Sequence, residues 1–312
     1  MQQQVDRVRT VSDHRSAVPP RDASRFADAI RRAQVTTLGD YIGRQSRAAR
    51  EERIPTARTV ADGQRLRTSV APRQNHLLAA LGAVDYERLL PQLELVSLPR
   101  GKVLCEASRN SDFVYFPANG IVSLCHELEN GTTVEVAVTG SDGMVGIAAF
   151  MGGGATTNRA VVRNAGYGYR MRASVLKAEF DSNPAFRQVL MRYAQALIAQ
   201  LTHSAVCHGH HRLEQQFRRL LLVSMDLLRS NDIALTQDAI ACLLGARRES
   251  ITAVAGKLQT AGLIRYHRGR ITILDRPGLT AEVCECYAAA KSEVDRTIPR
   301  GVAAAGATAM AS

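Results

Sequence analysis

The chain has no tryptophan, and its aromatic residues together make up only 5% of 312 residues. Any core must therefore be built mainly from aliphatic side chains, which its 46% hydrophobic content can supply. No uninterrupted apolar run reaches the ~18 residues of a membrane-spanning helix. The opening Met1-Gln2-Gln3-Gln4 is polar and lacks the apolar centre of an export signal. No cysteine precedes Cys105, and the six present are scattered as far as Cys286. In a chain this long, that pattern reads as reduced thiols in a cytoplasm, not as a disulfide framework. Also missing are Gly-x-Ser-x-Gly, a Walker loop, His-Glu-x-x-His and a dinucleotide fingerprint, so no catalytic constellation is expected and the chain reads as a non-enzyme. Acidic residues are in deficit: 29 Asp and Glu face 40 Lys and Arg, a net charge of +11 that favours a polyanionic partner.

The charge is uneven. Residues 1–74 hold fifteen Arg, no Lys and eight acidic residues, and so carry +7 of the total. Their hydrophobic periodicity is poor, apart from a short helical pattern around Phe26, Ala29 and Ile30. The composition predicts a disordered basic extension, with a non-specific nucleic-acid arm as the functional alternative.

Regular patterning starts at Asn75, a good N-cap for a helix bearing Leu77, Leu78 and Leu81. A second short helix runs from Asp85 to Leu90 and stops at Pro91. The period then becomes strand-like. Segments 93–98, 102–105, 112–116, 121–126, 132–138, 159–163 and 167–171 are short and rich in β-branched or aromatic residues. Turn signals such as Asn119-Gly120, Asn130-Gly131 and Gly152-Gly153-Gly154 separate them. This predicts an antiparallel roll over 75–183. A short helix over 174–181 follows, then a long one from Pro184 to about His208, in a segment 184–209 ending at Gly209. Leu190, Ala194, Leu197 and Leu201 recur along it at three- or four-residue spacing, a seam that suits the same helix of a second subunit or the chain's own core. A further helix spans 212–229.

The segment 235–279, LTQDAIACLLGARRESITAVAGKLQTAGLIRYHRGRITILDRPGL, carries the function. Thr236 caps a short helix with Ile240, Leu243 and Leu244 on one face, and Gly245 breaks the chain. A second helix from Arg247 to Thr260 turns Ile251, Val254 and Leu258 inward. Its other face opens with Arg247, Arg248, Glu249 and Ser250. Helix, glycine turn and amphipathic helix with a polar start form the helix-turn-helix pattern. Arg suits the O6/N7 edge of guanine, and Glu can accept from cytosine N4. The run Arg265 to Asp275 then reads as two strands around a basic glycine turn. Arg268 and Arg270 lie there, in a wing placed to follow phosphates. Between 210 and 276, eleven Lys or Arg outnumber six acidic residues. Residues 281–312 read as a short helix and an Ala/Gly-rich tail.

These residues, with the strand-rich block before them, resemble the superfamily of bacterial transcription factors typified by the cyclic-AMP receptor protein and the fumarate–nitrate regulator. The resemblance covers roughly 75–290. It implies an α+β chain with an N-terminal antiparallel β-roll, a long dimerisation helix, and a C-terminal winged helix (210–280) that binds palindromic double-stranded DNA as a homodimer, with RNA polymerase as a further partner. Arg248 and Glu249 stand at the family's base-reading pair, and Ser250 and Thr236 at its phosphate-contacting positions. The family's further base-reading Arg is replaced by Ala253. In cyclic-nucleotide sensors of the superfamily, a Glu and an Arg hold the ribose and cyclic phosphate. Here those positions read Ile147 and Asn158, and Arg159 is one residue off, which in a strand turns it to the opposite face. The effector is therefore left unassigned, with a cyclic-nucleotide-, metal- or redox-responsive regulator, or a cyclic-nucleotide-regulated subunit, as alternatives.

Cys207-His208-Gly209-His210-His211, with His203 one turn earlier, holds metal-binding residue types at short spacing. A polar hinge between two helices has the same composition. Cys284-x-Cys286 alone is too short for a zinc knuckle. No metal and no cofactor are assigned from sequence.

Overall fold

The computed structural model describes residues 71–298, apart from 130, 131 and 153. The basic extension and the Ala/Gly-rich tail lie outside the described residues, except for 71–74 and the residues before Pro299. Asn75 caps α1 (His76–Ala79). Its side-chain oxygen accepts from the N–H groups of Leu77 and Leu78, and its amide donates to the carbonyls of Pro117 and Gly143. Every polar atom of this buried side chain is thus satisfied, which fixes the entry helix onto the roll. Helix α2 (Ala83–Leu89) ends where Pro91 cannot continue it.

Seven antiparallel strands follow. They are β1 (Glu94–Leu98), β2 (Val103–Cys105), β3 (Phe113–Pro117), β4 (Ile121–Glu127), β5 (Thr133–Thr139), β6 (Arg159–Asn164) and β7 (Gly166–Arg172). They form one sheet in the order β1-β7-β3 and another in the order β2-β6-β4-β5. Leu98 and Tyr115 of the first sheet meet Leu104, Val122, Ala160 and Val162 of the second in an inner core. A short helix, α3 (Ala148–Met151), interrupts the β5–β6 connection, in a stretch to which the sequence pattern assigned no element.

After α4 (Ala173–Ser182), Asn183 caps the long helix α5 (Pro184–His210), accepting from Ala185 and Phe186 N–H, with Pro184 at its first turn. Phe186, Leu190, Tyr193, Ala194 and Leu197 of α5 pack with Leu77, Leu78, Phe116 and Met171 in a second core.

Of the two placings open to the seam on α5, the structure shows the chain's own core. Leu190, Ala194 and Leu197 are buried within the chain, and Leu201 packs partly buried on the same core. The large apolar side chains left exposed on α5 are Met191, Ile198 and Val206. The helix has two apolar stripes, and the roll covers the one made by Leu190, Ala194 and Leu197.

The remaining elements are α6 (Leu213–Leu228), β8 (Asp232–Ala234), α7 (Gln237–Leu244), α8 (Arg248–Thr260), β9 (Ile264–His267), β10 (Arg270–Ile273), α9 (Arg276–Ala281) and α10 (Cys286–Thr297). Phe217, Leu221, Ile233, Ile240, Ile251, Leu258 and Ile271 form their shared core. Strand β8 adds a third member to the sheet, in the order β8-β10-β9. Among the described residues, no helix is long and apolar enough to cross a membrane.

Candidate nucleic-acid interface

Thr236 ends the approach to α7 in extended backbone, and its hydroxyl accepts from Ala239 N–H at 3.3 Å. Gly245 stops α7 with φ +61°, a left-handed conformation that other residues adopt only at a cost. The chain then turns through Ala246 into α8. Arg247 is the N-cap of α8 and not its first helical residue, because its backbone is still extended, and it makes no side-chain cap. On the inward face, Ile251, Ala255 and Leu258 are buried, and Val254 is only half-buried. Inward packing at i, i+4 and i+7 leaves Arg247, Arg248, Glu249 and Ser250 exposed together at the amino end of α8.

The wing is a two-residue hairpin. His267 pairs with Arg270 across it, and Arg268 and Gly269 both have positive φ, +44° and +74°. Two consecutive left-handed residues are the signature of a type I′ turn, whose twist matches that of the strands. Gly269 is also sterically required, since a β-carbon there would sit 2.9 Å from the Thr236 methyl. The tip of the wing is thereby seated on the start of α7, and Leu235 N–H donates to the Gly269 carbonyl at 2.8 Å.

Three of the residues singled out from sequence, Thr236, Arg248 and Arg268, line one open cleft with Gln237, Asp238, Tyr266 and Gly269. Arg247, Glu249, Ser250 and Arg270 are exposed outside that lining. Sequence reasoning missed Gln237 and Asp238. The carboxylate of Asp238 lies 3.3 Å from the Arg248 guanidinium, and Thr252 donates to Gln237 at 2.9 Å. Both sit in the first turn of α7, where an acidic residue suits the helix dipole. Their position directly after the capping Thr236 was the available signal.

In the roll, Ile147 packs partly buried against the second core. Asn158 lies within hydrogen-bond distance of His126, at 3.3 Å. Arg159 pairs with Glu106 at 3.1 Å, while its neighbours Ala160 and Val162 line the inner core. Of the Cys/His run, Cys207 and His211 come together, and they do so with Cys284 and Cys286, whereas His203, His208 and His210 do not join them.

A family model described as the Crp-like helix-turn-helix domain matches residues 213–282, and one described as the cyclic nucleotide-binding domain matches residues 95–183. The chain is 22% identical over 219 residues to the global nitrogen regulator of Synechococcus elongatus, a match covering 67% of this chain and 97% of that protein. Among solved structures, FixK2 from Bradyrhizobium japonicum superposes with a TM-score of 0.53 at 16% identity, over 62% of this chain and 98% of that one. A CRP/FNR-family transcriptional regulator from Thermus thermophilus gives 0.52 at 22% identity, over 60% and 97%. With a nucleotide-binding-type roll, a long helix and a Crp-like helix-turn-helix in that order, the chain belongs to the Crp/Fnr family of DNA-binding transcriptional regulators.

Proposed function

We propose that the chain acts as a homodimer that sets two copies of α8 into successive major grooves of a palindromic duplex. The observation that carries this is the shared cleft of Thr236, Arg248 and Arg268, where the start of α7, the start of α8 and the wing tip converge. Arg248 takes the O6/N7 edge of a guanine, and Glu249 accepts from a cytosine N4. Thr236, Arg247, Ser250, Arg268 and Arg270 serve phosphates, which set register without reading sequence. Arg268 supports this assignment. A left-handed backbone position favours Gly, Asn or Asp, so an Arg there gives up conformational ease for a charge at the wing tip.

Pairing runs through the Met191, Ile198 and Val206 stripe, which is apolar, exposed and at near-heptad spacing on α5. The protein works by binding and not by catalysis, in the cytoplasm, with RNA polymerase as the partner that reads its position on DNA. Its roll does not respond to cyclic AMP or cyclic GMP, because Ile147 offers no acceptor to a ribose and Asn158 no cation to a phosphate.

Selection of the full-length protein on randomised duplexes tests the reading. Enrichment of inverted half-sites with centres about one helical turn apart, ~34 Å, is expected. A pool that enriches no sequence, or a single half-site bound by one chain, overturns it.

A further inference from the structure

We propose that Cys207, His211, Cys284 and Cys286 bind one zinc ion that staples the hinge at the end of α5 to the segment joining α9 and α10. The four ligand atoms, three Sγ and one imidazole nitrogen, all lie within 4.8 Å of one another. Cys207 Sγ is 3.6 Å from Cys284 Sγ, and Cys286 Sγ is 3.6 Å from His211 Nδ1. Zinc with bonds of ~2.3 Å to sulfur holds tetrahedral ligand atoms about 3.8 Å apart, so the cluster is already near the size of one four-coordinate ion. It is too tight for an iron–sulfur cluster, in which the cysteine sulfurs sit outside the iron atoms. Three sulfurs and one imidazole form a closed donor set of the structural zinc type, and soft ligands select against magnesium and calcium.

The surroundings complete the case. The three cysteines are 1–2% exposed and pack as a cluster of their own. All are free thiols. The other imidazole nitrogen, Nε2, lies 3.2 Å from the carboxylate of Glu285. A carboxylate on the far nitrogen fixes the ring orientation that points Nδ1 at a metal. Gln216 donates to the carbonyls of both Cys207 (3.3 Å) and His211 (2.9 Å), which holds the last turn of α5 in register with the start of α6. Zinc uptake exchanges three thiol protons for the ion and leaves the site with one net negative charge. Arg219, which donates to Ser204 and lines the same cavity as Cys207, is the cation placed to offset it.

Neither half of this site is informative alone. Cys207 and His211 are four residues apart on one helical turn, and Cys284 and Cys286 flank a single residue. They meet because α10 folds back along α5, bringing residues 77 positions apart to within 3.6 Å.

The test uses the full-length protein from zinc-supplemented cells, exchanged into chelator-free buffer. Metal analysis is expected to give one zinc per chain, and the Cys284→Ser/Cys286→Ser double variant is expected to lose it, while Cys242→Ser keeps it. Should the double variant misfold, the wild-type chain loaded with cobalt(II) serves instead: thiolate-to-cobalt charge transfer and strong tetrahedral ligand-field bands are expected. Less than about a tenth of an equivalent of zinc together with no cobalt spectrum overturns the site. A Cys207–Cys284 disulfide in freshly prepared protein, or iron with acid-labile sulfide, overturns it equally. Hydrogen exchange of the wild type with and without zinc tests the staple. Slowed exchange in both 207–216 and 282–290 is expected, and an unchanged pattern with zinc bound overturns that role. None of these readouts involves DNA, so their failure leaves the assignment of α8 and the wing untouched.

Discussion

The guanidinium of Arg163 in β6 grips the carboxylate of Glu135 in β5 at 2.9 and 3.1 Å, with both side chains largely buried. The other end of the same guanidinium donates to Ser224 on α6 at 2.8 Å, and Ser123 donates to Glu135. One ion pair thus ties the roll to the first helix of the winged-helix core. Removing one member of a buried pair leaves the other charge uncompensated, which costs about 3–5 kcal/mol. Arg163→Met is therefore expected to lower the unfolding midpoint sharply. The double variant Arg163→Met/Glu135→Gln should recover most of the loss. Denaturant titration followed by circular dichroism checks both, and equal instability of the single and double variants would contradict the pairing.

Arg248 and Arg268 should fail differently. Arg248→Ala is expected to weaken binding to the selected duplex by about 1–3 kcal/mol per half-site and to relax preference at one base pair. Arg268→Asn keeps a residue suited to the left-handed turn and removes only the charge. It should weaken all sequences alike and reduce the salt slope by about one per half-site. Fluorescence anisotropy across a salt series separates the two patterns. A sequence-specific loss in Arg268→Asn would reverse the assignment.

Assembly should depend on the exposed stripe of α5 and not on the buried one. Ile198→Glu is expected to yield folded monomer by light scattering. Leu197→Ala, which empties a core position, should cost about 2–5 kcal/mol of stability while the surviving folded protein still dimerises. A monomeric Leu197→Ala with a dimeric Ile198→Glu would return the interface to the seam expected from sequence.

Cyclic nucleotides should not act through the roll. A lost charge-assisted bond is worth about 1.5–3 kcal/mol, and the missing ribose acceptor adds to this. Titration calorimetry is expected to show no micromolar binding of cyclic AMP or cyclic GMP. Micromolar binding with a matching rise in DNA affinity would show that Arg159 leaves Glu106 to take the phosphate.

The parts of this molecule that were legible in sequence are those set by short-range chemistry. Asn75, Asn183-Pro184 and Thr236 announce helix starts because a cap is satisfied within three residues. The seven roll strands follow from β-branched runs between turn residues, and Arg268-Gly269 marks the wing. The inward face of α5 was not legible, because helical spacing fits Leu190–Leu197 and Met191–Ile198 equally and only the roll decides between them. Strand β8 has three residues, too few to show a period. The Cys and His residues gave half a site at each of two places, and nothing local joins them.

The return of α10 along α5 changes what kind of joint this is. Tyr287, near its start, is buried in the winged-helix core, while Ile298, just past its end, is buried with Leu197 in the core beneath the roll. Gln195 and Glu293 bond across the two helices at 3.2 Å. The DNA-reading module is thus held at two anchorages, as a beam on two piers and not as a door on one pin. Swinging about His210–Leu213 alone would tear Ile298 from its seat. A slide of α10 along α5 would unseat Ile298 as well and would part Cys284 from Cys207. The packing therefore couples the module to α5 as one body, so that whatever displaces the helix carries the module with it.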